Sequence, residues 1–322
     1  MGRAMLSGMT SVATSPRVLD GIAIAAEIKS EVALQVAAAR SAGYQPGLAV
    51  VLVGDVPASQ IYVRSKVKTC AELGIYSEMH TPAATATTEE LLALVDSLNR
   101  NDTIDGILIQ LPLPAHVDTA RLLEAVIPAK DVDGFHPINA GRLLSGAPDE
   151  QVLAPCTPAG ILEILRRSQI PVAGARAVVL GRSNIVGKPV AAMLINASAT
   201  VTVCHSKTRD LADITREADI LVAAIGRAGY VTAEMVRPGA TLIDVGINRI
   251  DTEAELSRFF PGDAVRRESF LKRGSTLVGD IDPAAFAISG AFTPVPGGVG
   301  ALTIAMLMSN TVKAARLRRT GS

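Results

Sequence analysis

Aromatic residues are scarce in this sequence: tryptophan is absent, and Phe, Tyr and Trp together make up only 3% of the 322 residues. The core must therefore be built mainly from Ala, Val, Ile and Leu, which is typical of layered α/β proteins. An excess of charge of either sign is also lacking, since Lys plus Arg and Asp plus Glu both number 31. A net charge of zero argues against nucleic acid or an anionic membrane as a main partner.

Cysteine and histidine are too few and too scattered to predict a metal site. Cys70, Cys156 and Cys204 show neither metal-ligand spacing nor a disulfide framework, and the four histidines are also dispersed. Unpaired cysteines suit a reducing cytosol, so we expect a cytoplasmic protein. No apolar run reaches transmembrane length. Residues 1–16 carry Arg3 as their only charge, which favours a disordered or non-native start over a transit peptide.

Strand-like and helix-like patterns alternate along the chain, which predicts an α/β fold. A first series has predicted strands at 48–53, 75–81 and 104–111 and predicted helices at 22–42, 55–74, 89–98 and 118–126. A second series has predicted strands at 177–180, 200–204, 220–225 and 241–245 and predicted helices at 157–167, 190–196 and 301–316. Two series of this kind predict two α/β domains.

The turn at 181–187 lies between a strand and a helix, where such turns can hold a pyrophosphate. Its glycines, Gly181 and Gly187, are six residues apart rather than in the usual G-x-G-x-x-G spacing, so an ordinary crossover turn fits equally well. The end of the next strand favours a nucleotide site. An NAD-binding unit usually has an acid there, whereas this chain reads His-Ser-Lys-Thr-Arg before Asp210. Hydroxyl and cationic groups suit a ribose 2′-phosphate, which predicts NADP.

Four further features have a common structural explanation and a less common functional one. Tyr62 and Lys66 are four residues apart and share a helix face. The common explanation is a solvated lysine beside a half-buried tyrosine, and the functional one is a lysine held in a cleft as an acid or base. Gln110 fits a polar strand end, and Asp133 a turn. The glycine-rich stretch 294–300 could link two elements or let the backbone approach a ligand. Leu111-Pro112 and Val295-Pro296 are candidates for cis bonds, although trans is the commoner form.

Together these segments resemble the bifunctional methylenetetrahydrofolate dehydrogenase/cyclohydrolase family, from about Leu19 to the end of the chain. The motifs that carry the resemblance are Tyr62-Val63-Arg64-Ser65-Lys66, Gln110-Leu111-Pro112-Leu113-Pro114, Lys130-Asp131-Val132-Asp133-Gly134, Pro155-Cys156-Thr157-Pro158, Gly181-Arg182-Ser183 with Val186-Gly187-Lys188-Pro189, His205-Ser206-Lys207-Thr208, Gly246-Ile247-Asn248 and Thr293-Pro294-Val295-Pro296-Gly297-Gly298-Val299-Gly300.

The resemblance implies two α/β domains with the active site in the cleft between them. Residues 1–156 plus 295–322 would form the folate-binding catalytic domain, with the last helix returning to it. Residues 157–294 would form a Rossmann-like NADP-binding domain, through which a homodimer would assemble. The implied activities are NADP-dependent oxidation of 5,10-methylenetetrahydrofolate and hydrolysis of the methenyl product to 10-formyltetrahydrofolate.

The resemblance also implies a role for individual residues. Lys66 would be the catalytic lysine and Gln110 the residue that orients it. Tyr62 would stack on the aminobenzoyl ring and Asp133 would hold the pterin edge. The full implied substrate site is Tyr62, Lys66, Ile109, Gln110, Leu111, Asp133, Pro296, Gly297, Gly298, Val299 and Gly300. The implied cofactor site is Gly181, Arg182, Ser183, Ser206, Ile247, Thr157 and Thr293, and no metal is expected.

Two departures from the family pattern leave questions open. An extra stretch between Asn248 and Val278 contains Phe259-Phe260, and we expect a surface insertion, with a partner contact as the alternative. Ile225 stands where several relatives have threonine, which could change one cofactor contact. An alternative function is a dehydrogenase without cyclohydrolase activity, and a further one is a silent nucleotide-binding subunit. Retention of Lys66 argues against the first alternative, and the full set of Lys66, Gln110 and Asp133 argues against the second.

Overall fold

The computed structural model describes residues 15–55 and 57–320, and its first part alternates strands and helices as the sequence predicts. The elements of this part are β1 (Arg17–Val18), α1 (Gly21–Ser41), β2 (Gly47–Val51), α2 (Pro57–Leu73), β3 (Tyr76–His80), α3 (Thr88–Arg100), β4 (Gly106–Ile109), α4 (Thr119–Ala125), α5 (Pro137–Leu144) and α6 (Cys156–Arg167). Helix α5 was not predicted. It begins after His136, whose ring nitrogen accepts a hydrogen bond from the Ile138 N–H.

The second part contains most of a larger sheet and ends in a long helix. Its elements are β5 (Arg176–Leu180), α7 (Gly187–Asn196), β6 (Thr200–Cys204), α8 (Leu211–Thr215), β7 (Ile220–Ala223), β8 (Thr241–Asp244), β9 (Asn248–Ile250), α9 (Glu253–Phe259), α10 (Ala264–Arg273), β10 (Thr276–Val278), β11 (Ala291–Phe292) and α11 (Val299–Thr320). Strands β9 and β10 form a separate antiparallel pair.

Two parallel sheets confirm the predicted two-domain α/β fold. The first has the strand order β3-β2-β4, and the second has the order β1-β11-β8-β7-β5-β6. In the second sheet Leu180 of β5 lies beside Cys204 of β6, so the two strands end at the same level. Ligands of open parallel sheets bind beyond the carboxyl ends of the strands. The turns after β5 and β6 are therefore neighbours at a ligand-binding edge.

The chain crosses between the two sheets more than once. Strand β1 pairs with β11 of the larger sheet, which corrects the prediction that all of residues 1–156 belong to the first domain. A strand of two residues has too little hydrophobic pattern to be read from the sequence. Helix α11 packs against α1 and α6. A Cβ added at Gly160 of α6 would lie 2.9 Å from Leu302 Cβ, so the glycine lets α6 and α11 approach closely.

Apolar packing unites the domains around α1, α6 and α11. One continuous cluster contains Ile28 of α1, Ile161 of α6, Val179 of β5 and Met308 of α11. This core fixes the position of the two sheets and of the loops at their ends. No helix within the described ranges is both long enough and apolar enough to cross a membrane.

Candidate functional site

Lys66 is a buried residue of α2, and its side chain forms a hydrogen bond with that of Gln110. Only 5% of Lys66 is exposed, and its Nζ donates a hydrogen bond to Gln110 Oε1 at 2.9 Å. The amide of Gln110 in turn donates to the Leu111 carbonyl at 2.7 Å, which fixes the side chain that receives the lysine. The Tyr62 ring, one helical turn before Lys66, has its centroid 5.5 Å from Nζ. The common explanation, a solvated lysine on a helix face, is therefore wrong for Lys66.

Burial shifts the pKa values of Lys66 and Asp133 in opposite directions. Desolvation lowers the pKa of Lys66 below its ordinary value, and the negative charge of Asp133 opposes that shift. Desolvation also raises the pKa of Asp133 to about 6, and the positive charge of Lys66 opposes that shift in turn. A lysine whose pKa is lowered loses its proton more readily than an exposed lysine, so it is better suited to accept and return a proton in general acid–base chemistry.

The loop that carries Asp133 is held by two buried charges that sequence analysis did not assign. Lys130 is fully buried, and its Nζ donates to the carbonyls of Leu98, Asn99 and Asn101 at 2.7–2.9 Å. Asp131 accepts hydrogen bonds from the N–H groups of Phe135 and His136 and from the Asn139 amide. The Lys-Asp-Val-Asp-Gly motif thus fixes its own backbone with two side chains, while Asp133 remains for the site.

Asn310 of α11 ties this loop to the start of α6. Its Nδ2 donates to the carbonyls of Val132 and Ala154, each at 2.8 Å, and it is 2% exposed. A lone asparagine in a helical pattern gives no sequence signal, since its partners lie more than 150 residues away. The returning helix therefore helps to fix the position of Asp133.

A cavity of about 260 Å³ lies between the two domains. Ile22 and Tyr62 line it from the first domain, and Gly246 and Ile247 line it from the second. The stretch 294–301, which contains Pro296, Gly297, Gly298, Val299 and Gly300, forms much of the remaining wall. Tyr62 belongs both to this wall and to the surroundings of Lys66. Of the residues predicted to bind substrate, Tyr62 and residues 296–300 therefore share this wall, and Tyr62 connects the cavity to Lys66. Ile109, Gln110, Leu111 and Asp133 are not among the lining residues.

Two features of this site add to the sequence expectation: the form of its two X-Pro bonds, and the burial of Ile109 and Leu111. Leu111-Pro112 and Val295-Pro296 are both cis, whereas base rates favoured trans. Ile109 is 2% exposed and packs in the core of the first sheet, so its backbone alone can reach a ligand. Leu111 is half-buried beside Gln110.

The turn after β5 has the close backbone approach of a dinucleotide site. Gly181 has φ +130°, and a Cβ there would lie 2.2 Å from the Ala224 carbonyl oxygen. A Cβ at Gly187 would lie 2.3 Å from the Gly181 carbonyl oxygen. Ser183 Oγ accepts hydrogen bonds from the N–H groups of Val186 and Gly187. The glycines are required by this geometry, and the N-terminus of α7 opens toward the turn.

The neighbouring turn after β6 carries the groups expected around a 2′-phosphate. Gly181 N–H donates to the Cys204 carbonyl at 2.9 Å, so the two turns adjoin. Arg182 and Ser206 are both exposed, and residues 205–209 contain no acid. The residues present therefore fit NADP rather than a cofactor with a free 2′-hydroxyl.

The other three predicted cofactor residues have different surroundings. Ile247 is 56% exposed and lines the cavity. Thr157 Oγ1 lies 3.2 Å from Thr303 Oγ1, which links α6 to α11. Thr293 is fully buried, and its hydroxyl accepts a hydrogen bond from the Asp244 N–H at 2.8 Å. Any influence of Thr293 on a bound cofactor would act through Asp244.

Two buried carboxylates, missed by sequence analysis, hold the loops after β7 and β8. Asp280 accepts hydrogen bonds from the N–H groups of Ile225, Gly226 and Arg227, at 2.6–2.9 Å, and from Asn248 Nδ2 at 2.9 Å. Asp244 accepts from the N–H groups of Gly246, Asp280 and Ile281. These loops lie at the carboxyl ends of β7 and β8, the edge of the sheet where a cofactor is expected. Asp244 and Asp280 therefore help to fix the backbone at that edge.

Known proteins share both halves of this arrangement. The profile of the tetrahydrofolate dehydrogenase/cyclohydrolase catalytic domain matches residues 19–133, and that of the NAD(P)-binding domain matches residues 155–319. The bifunctional protein FolD of Koribacter versatilis is 64% identical over 302 residues, covering 94% of this chain and 97% of that protein.

Solved structures agree with the sequence match. The bifunctional FolD of Campylobacter jejuni has a TM-score of 0.85 at 45% identity, covering 94% of this chain and all of that chain. The Trypanosoma brucei enzyme, solved with NADP and an inhibitor, has a TM-score of 0.84 at 37% identity, covering 96% of this chain and all of that chain. With both domains matched in order and the cleft residues brought together, this chain belongs to the tetrahydrofolate dehydrogenase/cyclohydrolase family.

Proposed function

We propose that this chain oxidises 5,10-methylenetetrahydrofolate with NADP and then hydrolyses the 5,10-methenyl product to 10-formyltetrahydrofolate. The observation that carries the proposal is the buried Lys66–Gln110 pair beside a cavity lined from both domains. A dehydrogenase alone needs reactants held in place but gives no reason for a desolvated amine. The bifunctional activity therefore accounts for more of the site than the dehydrogenase-only alternative.

In the first step the cleft holds the substrate carbon that lies between two nitrogens. Their lone pairs stabilise the cation left when hydride departs, so the protein mainly has to position the reactants. A hydride acceptor is the chemistry that bound NADP supplies. Tyr62 would stack on the aminobenzoyl ring, Asp133 would hold the pterin edge, and residues 296–300 would close on the folate.

In the second step a water adds to the methenyl carbon and loses a proton. The bond from that carbon to N5 then breaks as the new hydroxyl loses its own proton and becomes the formyl oxygen. Of the two protons that leave the water, one ends on N5 and one is released. Lys66 can accept the proton of the water and return one to N5, because burial lowers its pKa. Gln110 would keep the Lys66 amine directed at the methenyl carbon, since its side-chain oxygen accepts a hydrogen bond from Nζ at 2.9 Å.

One assay tests the proposed function. The purified chain is given methylenetetrahydrofolate and NADP, and reduced cofactor and the methenyl chromophore are followed separately. We expect reduced cofactor to form while methenyl rises and then decays faster than without enzyme. Methenyl that accumulates with only spontaneous decay would support the dehydrogenase-only alternative. The absence of both signals would support a silent nucleotide-binding subunit.

Arg182 provides a test of cofactor choice. We expect Arg182→Ala to weaken NADP binding at least about tenfold, the loss of one charge-assisted contact to phosphate, while NAD changes little. Dissociation constants for both cofactors measure this. Arg176→Ala is a matched control, since Arg176 is exposed at the opposite end of β5 and pairs with Glu217. Equal losses for NADP and NAD would refute the phosphate contact.

A homodimer through the nucleotide domain is the assembly we propose. Strand β6 is an edge of the larger sheet, with Thr200 and Thr202 exposed and Val203 39% exposed. An exposed β-branched edge can pair with another strand. Light scattering should give twice the monomer mass, and Val203→Lys should shift the population toward monomer. A wild-type monomer at micromolar concentration would argue against this assembly.

We also propose a cytoplasmic location, with folates and the nucleotide cofactor as the ligands and neither nucleic acid nor membrane as a partner. Cys70, Cys156 and Cys204 are all free and buried, as suits a reducing compartment. The balanced charge of the chain gives no electrostatic attraction toward a polyanion.

A further inference from the structure

The stretch at 251–275 is a folded unit that packs onto the active-site loops. It forms α9 and α10 between the paired strands β9 and β10. Phe259 is only 4% exposed and packs with Ile250 and Val278, and Phe270 is 5% exposed. The insertion expected at the surface is therefore a folded unit, and one side of it is buried against the rest of the domain.

Phe259 contacts the loop that follows β7. A Cβ added at Gly229 would lie 2.2 Å from the Phe259 ring, so the ring rests directly on the glycine backbone. Gly229 also has φ +56° and donates its N–H to the Gly279 carbonyl. The unit thus packs on the same loop whose first residues are held by Asp280.

Arg266 of α10 reaches the other loop, which lines the cavity between the domains. Its guanidinium donates from Nη1 to the Leu277 carbonyl at 2.9 Å and from Nη2 to the Val295 carbonyl at 3.4 Å. The same group lies 3.8 Å from the Phe260 ring centroid, and its Nε is 3.6 Å from Asp263 Oδ2. The Arg266 guanidinium therefore interacts with the Phe260 ring, the Asp263 carboxylate and two backbone carbonyls, which together fix its position.

Leu277 and Val295 both line the 260 Å³ cavity, together with residues 296–300. A planar guanidinium can span two carbonyls at once, whereas a lysine ammonium is a point donor on a flexible stem. We propose that Arg266 is a positioning residue, which joins β10 to the 293–300 loop and holds that loop in the conformation that receives the folate. The inference rests on the proposed function, in which residues 296–300 bind folate.

The test compares three variants in the dehydrogenase assay. Arg266→Ala should raise the KM for methylenetetrahydrofolate about tenfold, as expected for loss of charge-assisted hydrogen bonds, with a smaller effect on kcat and on the KM for NADP. Arg266→Lys should fall between Arg266→Ala and wild type. Arg267→Gln is the control, because Arg267 is exposed on the same helix and pairs with Glu253.

A second measurement separates positioning from general destabilisation. Amide hydrogen exchange of residues 295–301 should increase in Arg266→Ala, while the amides of β5 and β6 keep their wild-type exchange. Gly298→Ala reports on the loop itself, since a Cβ there would lie 2.6 Å from the Pro294 carbonyl oxygen. It should raise the same KM.

The outcomes distinguish the positioning role of Arg266 from the assignment of residues 296–300 to the folate site. A raised folate KM in both Arg266→Ala and Gly298→Ala, with local exchange at 295–301, supports the proposal. A folate KM within twofold of wild type in Arg266→Ala, but raised in Gly298→Ala, overturns the role of Arg266 and leaves the folate site standing. An unchanged KM in both variants overturns both.

Discussion

Replacing Lys66 by alanine is expected to lower cyclohydrolase activity at least about 100-fold, the usual contribution of one positioned acid–base group. The variant should still reduce NADP measurably, because hydride transfer depends mainly on positioning. The physical reason is that the Lys66 amine is hydrogen-bonded to Gln110, and burial lowers its pKa, so it gives up and takes back a proton more readily than an exposed lysine. The measurement is the decay of methenyltetrahydrofolate, followed separately from the formation of reduced cofactor.

Lys68→Ala is the matched control for this result. Lys68 lies on the same helix, its side chain is 79% exposed, and it pairs only weakly with Glu72 at 3.7 Å. We expect its methenyl decay to match wild type. If a folded Lys66→Ala protein, with a wild-type circular dichroism spectrum, hydrolyses methenyl at the wild-type rate, the lysine has no role in the second step.

Replacing Asp280 by alanine should cause a large loss of stability. The change leaves the N–H groups of Ile225, Gly226 and Arg227 without their carboxylate acceptor inside the protein. These three hydrogen bonds are partly buried, so losing the acceptor of each costs about 1 kcal/mol, and the summed loss is about 3 kcal/mol. We expect the thermal unfolding midpoint to fall by roughly 5–10 °C. NADP binding should weaken as well, because these loops lie at the ends of β7 and β8.

Asp282→Ala gives the comparison for Asp280. Asp282 is two residues away, and among the described residues its carboxylate is recorded as accepting one N–H, that of Ala284, at 3.0 Å near the surface. Its loss should cost about 1 kcal/mol, the value of a helix cap. Circular dichroism during heating measures both midpoints. Equal, small shifts for the two variants would mean that water replaces the Asp280 carboxylate and that the loops do not depend on it.

Repeating patterns were the part of the fold that could be predicted. The β-branched runs at 200–204 and 177–180 match β6 and most of β5, and the first-domain strands and helices lie within a few residues of their predicted ends. Local sequence suffices for these elements because each repeats its apolar residues at the period of its own geometry. Helix α5 was missed because it has only eight residues, of which Asn139 and Leu143 are its buried members.

Long-range polar contacts could not be predicted from the same patterns. Lys130 and Asn310 each donate to carbonyls that are about 30 to 180 residues away in the chain. Nothing local distinguishes a lysine that will be buried under three carbonyls from one that remains in solvent. Motif resemblance selected Lys66, Gln110 and Asp133 as candidate site residues, but it gave no account of the residues that hold them in place.

A crystal structure of this chain with NADP and an unreactive folate analogue would show whether the cleft brings the folate, the nicotinamide and Lys66 together. The proposal predicts that the folate carbon equivalent to the reacting one lies about 3–3.5 Å from the nicotinamide and within reach of Lys66 Nζ. It also places the 2′-phosphate at Arg182 and Ser206. Ligand density outside the cavity lined by Tyr62 and Ile247, or a Lys66 side chain turned away from the folate, would contradict the account.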